Sequence, residues 1–270
     1  QTSLKIYTTY DASIQKVLES VENGDIYEFP DDVVQEGIAV TSTEDGSIAA
    51  LSGGRNYQAL GLNHATDINY QPGSTAKPLF DYAMYIENIS QSSYDMFLDE
   101  ATSYSNGASI SNYDNRYKGL ITMRYALSDS RNIPALLAFK AVAKKDPDII
   151  KNFVHSVGID YGDDLFESAA IGGFNGVSPL ELSAAYATFG RGGYYIEPYA
   201  YTKVIDVTNN KEYTNSYTKT KVMKESTAYL ITNILIGVYD GKGVSGTDIA
   251  GKTGTQNLSS ATKDKYNLPT

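Results

Sequence analysis

Gln71-Pro72-Gly73-Ser74-Thr75-Ala76-Lys77-Pro78 is the stretch on which the reading of this chain turns. The Pro72-Gly73 pair breaks the chain, and Leu79, Phe80, Ala83, Met84 and Ile86 then wrap a predicted helix over residues 74–88. A helix that is apolar nearly all round belongs in the middle of a fold. Ser74 and Lys77 are three residues apart and share a helix face, so the amine can fold back beside the hydroxyl. The helix N-terminus offers partial positive charge to any oxyanion that develops there. Pro78 falls in the first turn, where its missing N–H costs little. The same Ser-x-x-Lys spacing recurs at Ser13, Ser216 and Ser260, so it acquires weight only from this context. The plain structural alternative is a capping hydroxyl and a solvated amine.

Outward from this helix, residues 5–9 read as a strand, and Asp11 is placed to cap a helix carrying Ile14, Val17, Leu18 and Val21. Residues 37–43 and 47–52 flank Glu44-Asp45-Gly46, a hairpin signal. On the other side, residues 91–118 are rich in Ser, Asn, Tyr and Asp and read as a long exposed excursion. Helices are predicted over 121–127, over 134–143 with Pro134 in the first turn, and over 147–157. Ser178-Pro179-Leu180-Glu181 has the capping-box spacing and opens a helix that ends at Gly190. A hairpin over 199–207 with an Asn209-Asn210 turn, a helix over 226–238 and a strand over 248–256 complete the chain. Sheet, then helices, then sheet again is an α+β pattern with the sheet assembled from both ends.

Composition narrows the chemistry. The 270 residues carry a net charge of −10, which disfavours nucleic acid and anionic membrane surfaces as partners. With no Cys there are no thiol nucleophiles, disulfides or thiolate metal sites, and two His, His64 and His155, leave little for a metal centre. No cofactor or metal is expected, and both His read as structural residues. No apolar run reaches the ~18 residues needed to span a bilayer.

Two further clusters stand out. Ser130-Arg131-Asn132 lies in a short loop between two predicted helices, where the plain reading is a cap for the second. Gly251-Lys252-Thr253-Gly254-Thr255 lies on the last predicted strand, and its Lys-Thr-Gly has a chance expectation of only about 0.1. A Gly inside a strand lets another backbone come close, and a Lys with flanking Thr hydroxyls makes an anion site. The plain reading is an edge strand bearing a charged gatekeeper.

Taken in order, Ser74-Thr75-Ala76-Lys77, Ser130-Arg131-Asn132 and Lys252-Thr253-Gly254 resemble the motif set of penicillin-binding protein transpeptidases and serine β-lactamases. Further landmarks are similar to the transpeptidase module of class A (bifunctional) penicillin-binding proteins. They are Ile6-Tyr7-Thr8-Thr9-Tyr10-Asp11, residues 38–54 followed by Arg55-Asn56-Tyr57, Gln71-Pro72-Gly73, Val177-Ser178-Pro179-Leu180-Glu181-Leu182, Ala184-Ala185-Tyr186-Ala187 and Gly192-Gly193. The resemblance implies a central antiparallel sheet flanked by helices, with an all-helical subdomain. It also implies that residues 1–270 are a transpeptidase domain incomplete at its C-terminus, whose last strands come from a second fragment, and that no glycosyltransferase module is included. The tail over 256–270, with Lys263 and Lys265, then reads as an exposed, protease-accessible loop.

The same resemblance implies roles. Ser74 is the nucleophile, Lys77 its base, Ser130 a proton relay and Lys252 its orienting cation. Asn132, Thr253, Gly254 and Thr255 bind substrate, with the backbone N–H groups of Ser74 and Thr255 as the oxyanion hole. The implied partners are peptidoglycan stem peptides and β-lactam antibiotics, on the outer, cell-wall face of a bacterial membrane to which an N-terminal helix anchors the whole protein. A D,D-carboxypeptidase or a serine β-lactamase would share the three motifs. The lactamase reading needs a Glu-x-x-Leu-Asn loop, which residues 158–176 lack.

Overall fold

The computed structural model describes residues 3–162, 164–238 and 246–256. β1 (Leu4–Thr8) leads into α1 (Ala12–Glu22), which begins where the Asp11 carboxylate accepts from the Ser13 and Ile14 N–H groups. β2 (Ile38–Thr41) and β3 (Ile48–Ser52) form the expected hairpin. Residues 73–90 are helical throughout, opening as a 3-10 turn (Gly73–Ala76) and continuing in wide π-type turns (Pro78–Ala83, Ile86–Ser90). Leu79, Phe80, Tyr82, Ala83, Met84 and Ile86 are all buried, so the helix sits in the centre as its apolar composition requires.

The stretch over 91–118 is mostly exposed, as expected, but it is not without packed elements. It holds β4 (Met96–Asp99), β5 (Thr102–Ser103) and β6 (Ser109–Ile110), and β4 pairs with β7 (Gly119–Thr122). Asp99 and Asn112 within it are buried. Most of the stretch is exposed, as its polar composition implies, but Asp99 and Asn112 are drawn into a buried hydrogen-bond network. Ile121 consequently lies in β7, and the following helix, α2 (Met123–Ser128), starts two residues later behind a Thr122 cap.

α3 (Asn132–Lys145) and α4 (Asp148–Ser156) pack against the central helix, followed by a 3-10 turn (Glu167–Ile171) and α5 (Pro179–Gly190). The Ser178 and Glu181 side chains make the full capping box. β8 (Tyr194–Tyr195), β9 (Tyr201–Asp206), β10 (Lys211–Thr214), β11 (Thr220–Lys221) and α6 (Glu225–Ile236) complete the described elements. Strand order β1-β9-β10 joins the start of the chain to its later part, the assembly from both ends that the α+β pattern demands. In place of one continuous central sheet, the described residues form small antiparallel sheets, with β3 tied to the β9 side by the Ser47–Tyr199 bridge.

Residues 248–256 form no ladder among the described residues. Gly251 N–H donates to Leu235 O at 3.3 Å, and the segment runs past the 3-10 turn at Ser74 without a strand on either side. The expected strand is therefore not formed there. The tail over 257–270, with Lys263 and Lys265, and any strands beyond it lie outside the described residues.

Candidate active site

The chain turns at Gly73 (φ +57°) into the short 3-10 turn that carries Ser74. Two other backbones close on this turn. A Cβ on Gly172 would lie 2.3 Å from the Gly73 carbonyl oxygen, and one on Gly254 would lie 2.4 Å from that of Pro72. Only glycine permits such approaches. They bring the helical part and the segment at Thr253 to the same place, around a cleft of about 910 Å³ lined by Ser74, Ser130, Asn132, Thr253, Gly254 and Thr255.

Lys77 lies behind the cleft wall with no solvent-accessible surface. Its Nζ donates to Ser130 O at 2.7 Å, to Asn132 Oδ1 at 2.6 Å and, more weakly, to Ser130 Oγ at 3.4 Å. Burial, reinforced by the positive charge of Lys252, pulls its pKa down to about 7, with the Asp81 carboxyl working in the opposite sense. Lys252 donates to the same Ser130 Oγ at 2.8 Å and to Thr253 O at 2.8 Å. Burial lowers its pKa to about 8. One hydroxyl thus stands between two amines that both lose their protons near neutrality.

A charged Lys77 has three N–H donors. In the neutral amine two remain, enough for Ser130 O and Asn132 Oδ1, and a lone pair is left, with Ser130 Oγ 3.4 Å from the nitrogen. The expected Lys77–Ser74 contact is not among the hydrogen bonds of this conformation. Asp81, four residues beyond Lys77, is fully buried and its carboxyl oxygens have no hydrogen-bond partner among the described residues. Burial drives its pKa well above the usual carboxylate range, with the charge of Lys77 working in the opposite sense.

Ser130 owes its position to the end of α2. Its N–H bonds to Leu127 O at 3.1 Å and the next N–H, that of Arg131, to Ala126 O at 2.8 Å, which is the Schellman closure of a helix C-terminus. The residue in that closure adopts the left-handed conformation, and Ser130 has φ +55°. Glycine is the usual occupant, and a side chain there costs about 1–2 kcal/mol. A functional hydroxyl is a reason to accept that strain.

Every residue singled out in the three motifs is brought to this cleft or directly behind it. His155 instead stacks on Tyr161 at 4.8 Å, and His64 N–H bonds to Gly53 O at 3.0 Å. Sequence reading missed Asp81, Asp99, Asn112 and Gly172. The Gly172-Gly173 pair was the only visible signal among them, because the burial of an Asp or Asn inside a polar stretch leaves no periodicity to read.

Comparison with known proteins agrees with this geometry. The family description "Penicillin binding protein transpeptidase domain" matches residues 37–269. The chain is 40% identical to penicillin-binding protein 1A/1B of Bacillus subtilis, over 98% of its own length and 29% of that protein's. It is 32% identical to penicillin-binding protein 1A of Streptococcus oralis, over 98% of its own length and 44% of that protein's. It therefore spans less than half of either relative. Among solved structures, the penicillin G acyl-enzyme complex of penicillin-binding protein A from M. tuberculosis superposes with a TM-score of 0.81 at 17% identity, covering 97% of this chain and 69% of that one. At that identity the likeness speaks for the fold.

Proposed function

The chain belongs to the penicillin-binding protein transpeptidase family, and from that premise we propose that it is a serine D,D-transpeptidase that crosslinks peptidoglycan stem peptides. The observation that carries the reading is the Ser130 hydroxyl held between Lys77 and Lys252 in the cleft that Ser74 lines. Neutral Lys77 accepts the proton of Ser74 as its Oγ attacks the carbonyl between two D-alanines. The backbone N–H groups of Ser74 and Thr255 stabilise the tetrahedral oxyanion. Ser130, polarised by Lys252, passes a proton to the departing D-alanine amine, leaving the donor peptide esterified to Ser74. The amine of a second stem peptide then attacks the ester, forms the crosslink and regenerates the hydroxyl. Asn132 orients the donor amide, and Lys252 with Thr253, Gly254 and Thr255 receives its carboxylate. A β-lactam follows the same first step, but its ring opens without losing a fragment and the ester persists. The reaction takes place on the cell-wall side of the membrane, where the substrate is found.

Water in place of the second amine would make the domain a carboxypeptidase. A lactamase would need a carboxylate aimed at that water. Glu167, the glutamate in residues 158–176, instead accepts from Ser105 N–H at 2.7 Å and lies 3.5 Å from the Lys140 amine. Glu181 is held in its capping box. Both observations support the transferase reading. Labelling with a fluorescent penicillin tests it: a stable adduct on the peptide containing Ser74, absent in Ser74→Ala, is expected. An unlabelled wild type, or an adduct that hydrolyses within seconds, overturns it. Incubation with a D-Ala-D-Ala pentapeptide and an amine acceptor should then yield the amide in preference to the hydrolysed peptide.

A further inference from the structure

The residue between Ser130 and Asn132 is the most completely coordinated side chain near the cleft. Arg131 is fully buried, and its guanidinium donates to Asp99 at 3.0 Å, to Asp114 at 3.0 Å, to Asp129 at 3.4 Å and to the carbonyl of Arg116. Its carbon lies 5.6 Å from the centre of the Tyr113 ring. Asn112 ties the same segment to the next helix. Its Oδ1 accepts from Asn132 N–H at 2.8 Å, and its Nδ2 donates to Asp99 at 2.7 Å and to Arg116 O at 2.9 Å. The first turn of α3, which has no capping side chain of its own from Arg131, is capped from 20 residues upstream. Asn132 Nδ2 donates back to Ser111 O at 2.8 Å.

A buried ion pair contributes little net stability over a well-packed apolar group, and its attested use is to impose one arrangement among several. Here the arrangement on offer is that of Ser130, which sits in a backbone conformation that glycine prefers, immediately before the clamped residue. We propose that residues 99–116 and Arg131 together form a clamp in which Asp99, Asn112 and Arg131 act as positioning residues, holding Ser130 in its left-handed conformation so that its hydroxyl meets both amines. The clamp is independent of catalysis as a structural statement. Its consequence for rate rests on the transpeptidase reading.

The Asp114 carboxylate is partly exposed, and its hydrogen bond to Arg131 is what chiefly holds its pKa below the usual range. Asp114→Asn therefore weakens the clamp without leaving an uncompensated buried charge. Arg131→Lys keeps the charge but loses the fork that reaches several acceptors at once. Penicillin acylation of the chain as it stands should be resolved into a dissociation constant and a limiting rate, beside the melting temperature. For Arg131→Lys the limiting rate is expected to fall at least tenfold with the dissociation constant within about threefold; for Asp114→Asn the fall is about threefold at an unchanged melting temperature. Amide exchange measured without ligand should quicken at least tenfold at Asn132 and Ile133 in Arg131→Lys. If Arg131→Lys fails to fold, Asp114→Asn decides. A folded variant with unchanged rate and exchange, or a loss of rate that merely follows the unfolded fraction, overturns the clamp. A wild type that is not acylated at all overturns the transpeptidase reading instead, and the exchange arm then judges the clamp alone.

Discussion

The loop at Ser130–Asn132 and the segment at Lys252–Thr255 face each other across the cleft, and they are held by different means. The first is anchored from behind, where Arg131 bonds Asp99 and Asp114 and Asn112 caps the Asn132 N–H. The second has Thr253, Gly254 and Thr255 exposed, and its ties run across the cleft: Lys252 to Ser130 Oγ at 2.8 Å, and Gln256 Nε2 to Gln71 Oε1 at 2.8 Å. On the proposed transpeptidase reading, the groups assigned to proton transfer are thus preset, while those assigned to the substrate carboxylate are registered against them through contacts that a substrate can join or replace. Preset groups serve the transition state, where reorganisation would be added to the barrier.

The largest effects should follow from breaking the preset side. Lys77→Ala removes the proposed base, and penicillin acylation should fall by about 10³-fold or more, at the upper part of what general-base catalysis contributes. A rate within tenfold of wild type would move the base role to Ser130. Next in size, Ser130→Gly separates backbone from hydroxyl at one position. Glycine relieves the left-handed strain, so the chemical denaturation midpoint should hold or rise by an equivalent of about 0.5–1 kcal/mol. Acylation should nevertheless fall about a hundredfold, and a destabilised variant would mean that the backbone at 130 is not strained.

On the other wall, Lys252→Ala should cost tens-fold in acylation and also change its pH dependence. In the wild type the rate should rise as Lys77 loses its proton near pH 7 and fall as Lys252 loses its own near pH 8, two macroscopic steps of a coupled pair. The Lys252 cation helps to depress the Lys77 pKa, so removing it raises that pKa and moves the ascending limb above pH 7. An ascending limb that stays in place, measured by stopped-flow acylation from pH 5.5 to 9.5, would show that the two amines do not sense each other.

The two walls were unequally legible. Ser74, Lys77, Lys252 and the helix-to-helix loop at Ser130 could be placed from local signals: a Pro-Gly break, an apolar period, a rare tripeptide. The β2–β3 hairpin, the Asp11 cap and the Ser178 capping box were legible for the same reason, because each is decided within a few residues. Asp99 and Asn112 were not, since Asp99 finds its partner Arg131 32 residues further along the chain and Asn112 finds the Asn132 N–H 20 residues further, and a buried polar network has the composition of a loop. The strand expected at Lys252 failed for a related reason: a strand exists only with a neighbour, and β-rich composition does not supply one.

The smallest expected effect calibrates the others. The Ser178 hydroxyl accepts from Glu181 N–H at 3.2 Å, and the Glu181 carboxylate accepts from Ser178 N–H at 2.8 Å, so Ser178→Ala leaves one N–H of α5 without its cap and should cost about 1 kcal/mol. α5 is not a bystander, because Tyr186 OH donates to Thr75 O at 2.6 Å, next to Ser74, and Ser183 Oγ meets Thr41 Oγ1 of β2 at 2.8 Å. Yet Ala184, Ala185 and Phe189 keep the body of the helix buried, and the lost cap acts on its first turn alone. The melting temperature should drop by a few degrees while acylation of the folded protein stays within twofold of wild type. If acylation falls tenfold instead, any weakening of the frame reaches the cleft. Rate losses at the Ser130 wall would then no longer distinguish positioning from stability.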